Sequence, residues 1–209
     1  MKDPDLSFER AAWDEGYRRV AGVDEAGRGA WAGPVVAAAV TLPAECPDLA
    51  PRLAGVRDSK LLSPRQRERL FEIVQGEALS IAVGVVGPAG IMAQGIGPSV
   101  RQAMGEAIDA LQPPPDYLLI DYLRLPSVAI PQRSITRGDQ VSLSIAAASI
   151  IAKVARDRLM VALGHAFPLY GFAQHKGYGT RQHRAAIAVH GATPLHRRTW
   201  APFVRHGEE

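Results

Sequence analysis

The sequence predicts a single α/β domain in which a central mixed β-sheet is flanked by α-helices, with a small helical C-terminal extension. Three observations carry that expectation. Two β-favouring apolar runs, Arg19 to Glu25 and Pro34 to Leu42, flank a glycine-rich turn, the pattern of a hairpin. A helical stripe of Val100, Met104, Ala107, Ile108 and Leu111 is stopped by Pro113-Pro114-Pro115 and followed by the short apolar run Tyr117 to Asp121, which predicts a crossover and a strand parallel to the first. A hydrophobic content of 47% over 209 residues supplies one substantial core.

Taken in order, residues 1 to 18 read as a polar lead-in from which Trp13 and Tyr17 can dock on the core, and residues 43 to 51 read as a loop after the hairpin. Ser63 as N-cap, Pro64 at the first helical position and Gln66 form a capping-box signature, so a helix continues through Leu70, Phe71 and Val74. Leu79 to Val86, apolar and β-branched, is a third strand. Residues 84 to 97 are glycine-rich and fit neither period. From Ser142 to Met160 the helix expected is unusually rich in Ala and Ser, which allows close approach to a sheet or a ligand. No internal repeat or low-complexity segment is present.

Composition excludes several function classes. A single cysteine, Cys46, leaves no intramolecular disulfide and no multi-cysteine zinc site, and suits a reducing cytoplasm. No apolar run approaches the roughly 18 residues of a membrane span, and Met1 to Asp5 are too polar for a signal peptide, so a cytoplasmic protein without membrane contact is expected. A net charge of +3 and a pI near 9.2 are too mild to imply nucleic acid by themselves. The distribution says more. From His175 onward, Lys176, Arg181, His183, Arg184, His196, Arg197, Arg198 and Arg205 cluster, which fits either a polyphosphate ligand or a solvated basic helix.

The residues that carry chemistry are acids placed where acids are costly. Asp24 and Glu25 end an apolar strand just before Gly27-Arg28-Gly29, and burying a carboxylate there costs on the order of several kcal/mol unless a metal, a cation or hydrogen bonds compensate. Side chains alternate along a strand, so both acids serve one site only if the chain bends or if Glu25 offers its carbonyl oxygen. The glycines permit such a bend. Asp121 ends a second apolar strand and Asp139 precedes the long helix. Singly, each acid reads equally well as a cap, a turn residue or an ion-pair partner.

Jointly they read differently, because ligands of open α/β sheets gather outside the carboxyl ends of strands. Converging carboxylates cannot all stay ionised without cations between them. Hard oxygen donors without cysteine or a close histidine pair favour Mg²⁺ or Mn²⁺ over zinc. Two such ions, about 3.5 to 4 Å apart, suit phosphoryl-transfer hydrolysis. The helix N-terminus near Ser142 and Ser144 is a candidate phosphate site.

Gly22-Val23-Asp24-Glu25-Ala26-Gly27-Arg28-Gly29 with Gly33-Pro34-Val35, then Asp58-Ser59-Lys60, Asp121, Gly138-Asp139, Ser142 to Lys153, Gly171-Phe172, His175 to Thr180 and Pro194 to Arg198 cover nearly the whole chain. In that order and combination they resemble bacterial ribonuclease HII. The resemblance implies an RNase H-like fold, with a catalytic domain over residues 1–165 and a substrate-binding extension over 166–209 packed on it, in a monomer. It implies cleavage of the RNA strand of RNA/DNA hybrids, and incision 5′ of single ribonucleotides in ribonucleotide-containing duplex DNA. The expected ends are 5′-phosphate and 3′-hydroxyl, and the expected cofactors are two Mn²⁺ or Mg²⁺ ions.

Carried over by motif, the resemblance makes Asp24, Glu25, Asp121 and Asp139 the catalytic, metal-binding set, with Asp24 bridging both ions. Gly27, Arg28 and Gly29 would read the ribose 2′-OH through backbone groups, the atom that separates RNA from DNA. Tyr178 would stack on the sugar of the following nucleotide, against its plain reading as a core tyrosine in a Gly-rich turn. Lys60, Ser142, Ser144, Lys153 and Lys176 would contact phosphates, Lys153 being equally readable as a snorkelling helix lysine. Asp157 reads as a helix-surface ion-pair partner, and the histidines as structural or phosphate-facing.

The sequence departs from the family pattern in places. Tyr122 follows Asp121 where many relatives have glycine, residues 84 to 104 lack the usual acidic and Asn-rich character, Trp200 replaces a phenylalanine, and no clamp-binding peptide is evident after Phe203. Three alternatives stand beside this reading. Ribonuclease HIII would carry a Gly-Lys-Gly turn, a junction resolvase would give no reason for Gly-Arg-Gly with Tyr178, and a non-catalytic nucleic-acid-binding module would need no acidic set.

Overall fold

A five-stranded mixed sheet of β1 (Val20–Ala26), β2 (Val35–Thr41), β3 (Ser80–Val86), β4 (Tyr117–Asp121) and β5 (Gln132–Ile135) runs in the order β3-β2-β1-β4-β5. Its helices are α1 (Ser7–Asp14), α2 (Leu49–Arg52), α3 (Pro64–Glu77), α4 (Pro88–Gln94), α5 (Ile96–Asp109), α6 (Leu143–Ala166), α7 (Phe172–His175) and α8 (Arg181–His190). The coordinates are a computed structural model that describes residues 3–200 and 203. Arg205 and the segment after Phe203 lie outside the described residues. Among the described residues, no helix is long and apolar enough to cross a membrane.

The predicted hairpin forms, with β1 antiparallel to β2 and β2 antiparallel to β3. The predicted crossover forms too: β4 lies parallel to β1, and β5 extends the sheet parallel to β4. Alternation along the strands builds two apolar layers. Ala21 and Val23, with Val35, Ala37, Ala39, Leu118 and Ile120, pack against Val100, Ala103, Met104 and Ala107 of α5. Ala26, Ala38 and Val40 face the other way, onto α6 and the Leu70, Phe71 and Val74 face of α3.

The capping box at Ser63 and Gln66 is made in both directions, which fixes where α3 starts. α6 crosses β1 so closely that a Cβ on Gly22 would stand 2.2 Å from the Ser144 carbonyl carbon. The small residues noted in sequence, Ala146, Ala147, Ala148 and Ala152, are fully buried against the sheet for the same reason.

The stretch read as a loop after the hairpin ends in the short helix α2, and three further elements differ from the expectation. The polar lead-in contains α1, whose Glu9 and Ala12 are buried; a short helix with a buried acid does not show an apolar stripe. β5 was not anticipated because Gln132-Arg133-Ser134-Ile135 is a polar edge strand with only Ile135 buried. Part of the ambiguous glycine-rich stretch is α4, started by Pro88 at its first position.

The segment after α6 packs back through Met160, Tyr170, Phe172 and Ala32. Beside this cluster His175, His183 and His196 are buried, and their hydrogen bonds dictate each tautomer. The Tyr178 carbonyl can only accept, so His183 Nδ1 donates to it at 3.0 Å. His183 Nε2 then accepts from His196 Nε2 at 3.1 Å, and His196 Nδ1 accepts from the Thr193 amide at 2.8 Å. A proton added to His183 Nε2 leaves two donors opposed.

Burial pushes His183 down to about 4 even though its bond to the Tyr178 carbonyl works in the other direction. The unfolded chain therefore takes the proton first, so this contribution is complete above about pH 6.5 and is lost as pH falls from there toward 4. Thermal unfolding between pH 7 and pH 4 should lose up to about 3 kcal/mol through this group. His183→Gln should show a flatter pH slope; equal slopes for the two proteins would assign the acid sensitivity elsewhere.

Candidate active site

The register of β1 and β4 brings the first two acids together. Val23 lies opposite Ile120, so Asp24 and Asp121 follow at the same level on adjacent parallel strands, whose spacing is about 4.8 Å. Asp24 shares the face of Gly22, and Asp121 that of Leu119, which is the face toward α6. Glu25 lies two residues beyond Val23, the last residue of β1 with a partner on β4, yet β1 stays paired to β2 through Ala26. No break in the ladder is needed for the Glu25 carboxylate to reach the same cleft.

Asp139 arrives from a single 3-10 turn, Gly138–Gln140, whose Gly138 amide donates to Asp121 Oδ1 at 2.6 Å. Asp24, Glu25, Asp121 and Asp139 all line one cleft of about 580 Å³, together with Lys60, Gly27, Arg28, Gly29, Lys153 and Tyr178.

Burial is the largest cause of the raised carboxyl pKa values here, and mutual repulsion adds to it. Asp24 is raised well above the usual range by burial, then by Glu25 and Asp121. Glu25 is raised by burial against the opposing pull of Arg28, 3.7 Å away. Asp121 is raised by burial although it accepts from Gly138. Burial, then Asp58 and Asp121, push Asp139 up to about 6.

Each acid rests on a separate protein donor. Asp24 accepts from the Glu25 amide at 2.7 Å, and Lys60 Nζ stands 3.8 Å from Asp139. Among the described residues no three such side chains are closed into a ready-made metal cage. The donor set itself, carboxylate oxygens that repel one another in a partly dry cleft, fits hard divalent cations, and Asp24, Glu25, Asp121 and Asp139 are the residues that would hold them.

Of the predicted phosphate contacts, Lys60 is exposed at the cleft. Lys153 also lines it, with its ammonium donating to Asp157, which in turn meets Arg67 at 3.8 Å. Lys176 lies beside the neighbouring cleft along α6 and donates to the Ala173 carbonyl.

Ser142 and Ser144 are a correction. Both are fully buried and donate to Glu9 Oε1, at 2.6 Å each, while the Ser144 amide donates to the same oxygen at 2.9 Å. A carboxylate of the chain already holds the anion position at the α6 N-terminus, so neither serine faces a substrate phosphate.

Tyr178 borders the cleft with its ring 5.3 Å from the Arg156 guanidinium. Tyr122 at the rim has φ of 59° and is 61% exposed, a left-handed conformation that residues other than glycine seldom adopt.

Sequence reasoning missed three residues of this neighbourhood. Asp58 caps the 3-10 turn Ser59–Leu61 and lies against Asp139; its place before Ser59-Lys60 was the available signal. Arg156 and Arg197 are fully buried behind the Gly-Arg-Gly turn; in sequence Arg197 stands out only as a member of the basic cluster and of the Pro194 to Arg198 motif, and Arg156 carries no signal.

The sheet order and an acid cluster at adjacent parallel strand ends define an RNase H-like protein. Solved structures agree: ribonuclease H2 from Pyrococcus horikoshii OT3 superposes with a TM-score of 0.74 at 28% identity, covering 88% of this chain and 95% of that one. The RNase HII of Archaeoglobus fulgidus, solved in a complex with PCNA, gives 0.73 at 28% identity over 91% and 98%.

The family model described as Ribonuclease HII matches residues 21–203, and the chain belongs to that family, whose members are hydrolases of the ribonuclease H type. Among relatives, Ribonuclease HII of Chloroflexus aurantiacus is 55% identical over 96% of this chain and 95% of its own length. That of Bacillus subtilis is 48% identical over 94% and 74%.

Two substitutions test the cleft, one its electrostatics and one its backbone geometry. Asp24→Asn keeps the bond from the Glu25 amide but removes a buried charge among like charges, so in chelator at pH 8 it should raise stability by about 1 kcal/mol. An unchanged or lower melting temperature would mean that Asp24 is already neutralised there. Gly27→Ala should destabilise by about 2 kcal/mol or more, because φ is +91° and its Cβ would meet Arg156 Nε at 1.9 Å. Thermal unfolding reads both.

Proposed function

We propose that the chain is an endoribonuclease that cleaves the RNA strand of RNA/DNA hybrids and incises 5′ of single ribonucleotides in duplex DNA. The products would carry 5′-phosphate and 3′-hydroxyl ends, and the cofactors would be Mg²⁺ or Mn²⁺ held by Asp24, Glu25, Asp121 and Asp139. The carrying observation is one cleft in which these four carboxylates share walls with Gly27, Arg28, Gly29 and Tyr178. Membership of the ribonuclease HII family supports the substrate class.

In this reading two bound cations supply activation of the attacking water and charge stabilisation on the scissile phosphodiester. The chain's own residues do the rest. Asp24 and Asp121 offer oxygens from adjacent strands, Asp139 and Glu25 complete the set, and Lys60 offers a cation at the cleft rim for a phosphate. The Gly-Arg-Gly turn approaches the ribose 2′-OH with backbone alone, and the Tyr178 ring stacks on the next sugar. Residues 1–165 would form the catalytic domain and 166–209 the substrate-binding extension, in a cytoplasmic monomer.

A non-catalytic binding module would use the cationic groups and Tyr178. It would have no use for four carboxylates that repel the phosphates it must hold.

Incubation with a DNA duplex carrying one ribonucleotide should give incision on its 5′ side with Mg²⁺ or Mn²⁺, none with chelator, and none on the all-DNA duplex. Absence of incision, or equal cutting of both duplexes, would sink the proposal. Asp121→Asn should abolish turnover while hybrid binding persists. Tyr178→Phe should retain more activity than Tyr178→Ala, since stacking and not the hydroxyl is invoked; equal losses would remove Tyr178 from the sugar.

A further inference from the structure

Arg156 and Arg197 are the largest fully buried side chains of the described residues. Neither has a carboxylate oxygen within ion-pair distance among those residues, where the ion pairs engage other cations. A buried cation without a counter-charge is costly unless neutral acceptors receive its hydrogens. They are backbone carbonyls without exception.

Arg197 donates from Nη2 to the Gly27 carbonyl at 2.8 Å and the Gly33 carbonyl at 3.0 Å, from Nη1 to the Arg28 carbonyl at 2.9 Å, and from Nε to Gly33 at 3.2 Å. Arg156 donates from Nε to Pro34 at 2.9 Å, from Nη2 to Ala32 at 3.2 Å, and from Nη1 to Lys176 at 3.0 Å. Two guanidinium forks thus rivet residues 27–34 from behind, and one of them also holds the segment two residues before Tyr178.

The consequence follows from peptide geometry. In a trans peptide the C=O and N–H of one plane point in opposite directions. The carbonyls of Gly27 and Arg28 share their planes with the N–H groups of Arg28 and Gly29. Drawing the carbonyls inward onto Arg197 turns those two N–H groups outward, where Arg28 and Gly29 are exposed in the cleft. Neither N–H donates to any group among the described residues. A carbonyl that accepts from a guanidinium also polarises its peptide and strengthens the attached N–H as a donor.

We propose that Arg197 is a positioning residue for ribose recognition: by clamping the carbonyls of Gly27 and Arg28, it keeps the amides of Arg28 and Gly29 unpaired and aimed at the 2′-oxygen of the bound ribonucleotide. This rests on the ribonuclease reading of the same cleft. It assigns discrimination between ribose and deoxyribose to a residue that touches neither. Arg156 ties the Ala32 and Pro34 carbonyls to that of Lys176, two residues before Tyr178, in the same way.

Lysine separates fork geometry from charge. An ammonium is a single point with three donors and cannot bridge carbonyls of three residues as a planar guanidinium does. In an Asp121→Asn background, expected to bind without turnover, Arg197→Lys should lower the ratio of affinities for ribonucleotide-containing over all-DNA duplex by about tenfold. Affinity for the all-DNA duplex should stay within about twofold. If both affinities fall together and the ratio holds, Arg197 is merely structural.

Amide exchange decides the matter even if Arg197→Lys does not fold. In the Asp121→Asn protein the Arg28 and Gly29 amides should exchange rapidly when free and become protected with the ribonucleotide-containing duplex but not with all-DNA duplex. Amides that are protected in the free protein, or unprotected with the ribonucleotide, would overturn the inference. Incision by the wild-type chain would still stand in that case, whereas a wild-type chain that does not incise removes the functional reading instead.

Discussion

The parallel pairing of β1 with β4 is the constraint on which the cleft depends, because it sets Asp24 and Asp121 side by side on the face covered by α6. Everything nearby responds to the repulsion this creates. The Glu25 amide, the Gly138 amide and Lys60 each take up one carboxylate, while burial, with the remaining repulsion added to it, raises the carboxyl pKa values throughout the cluster. A cluster of this kind opposes folding in the absence of cations, so stability has to come from elsewhere in the molecule.

Much of it comes from the contact between α6 and β1. With no side chain at Gly22 the helix backbone approaches the strand directly, and the buried alanines of α6 leave no space to fill. The helix is then held at its start by Glu9 of α1, whose Oε1 accepts from the Ser144 amide and both serine hydroxyls. Further along it sends Arg156 toward the C-terminal segment. A single helix therefore ties the N-terminal helix, the acid-bearing strands and the Tyr178 segment into one rigid frame, which is what a site assembled from distant parts of the chain requires.

The C-terminal segment is stabilised by groups that look polar in sequence but are spent internally. The chain from the Thr193 amide through His196 and His183 ends on the Tyr178 carbonyl, so neutral imidazoles hold this tyrosine's backbone. Arg197 meanwhile belongs to the Gly-Arg-Gly turn rather than to a solvated basic face. The basic cluster noted in sequence thus contains structural pins, and the lysines that stand at the cleft itself, Lys60 and Lys153, come from outside it.

Local chemistry was legible where a residue's role follows from its immediate neighbours. The hairpin, the capping box at Ser63, the proline stop before β4 and the acids at strand ends each depend on a few adjacent residues, and all could be read without coordinates. Partners remote in the chain could not. Glu9 lies 135 residues from Ser144 and Arg197 lies 170 from Gly27, so no periodicity or spacing reports that one carboxylate closes the α6 N-terminus or that one guanidinium holds the turn. The polar edge strand β5 was invisible for a related reason, since its place is set by pairing with β4 and hardly by burial of its own side chains. Sequence alone determined which residues are acidic, flexible or apolar and the local elements they build. Only the tertiary structure decided which acids meet and which serines are already taken, because hydrogen-bond partners are settled by packing across the whole chain.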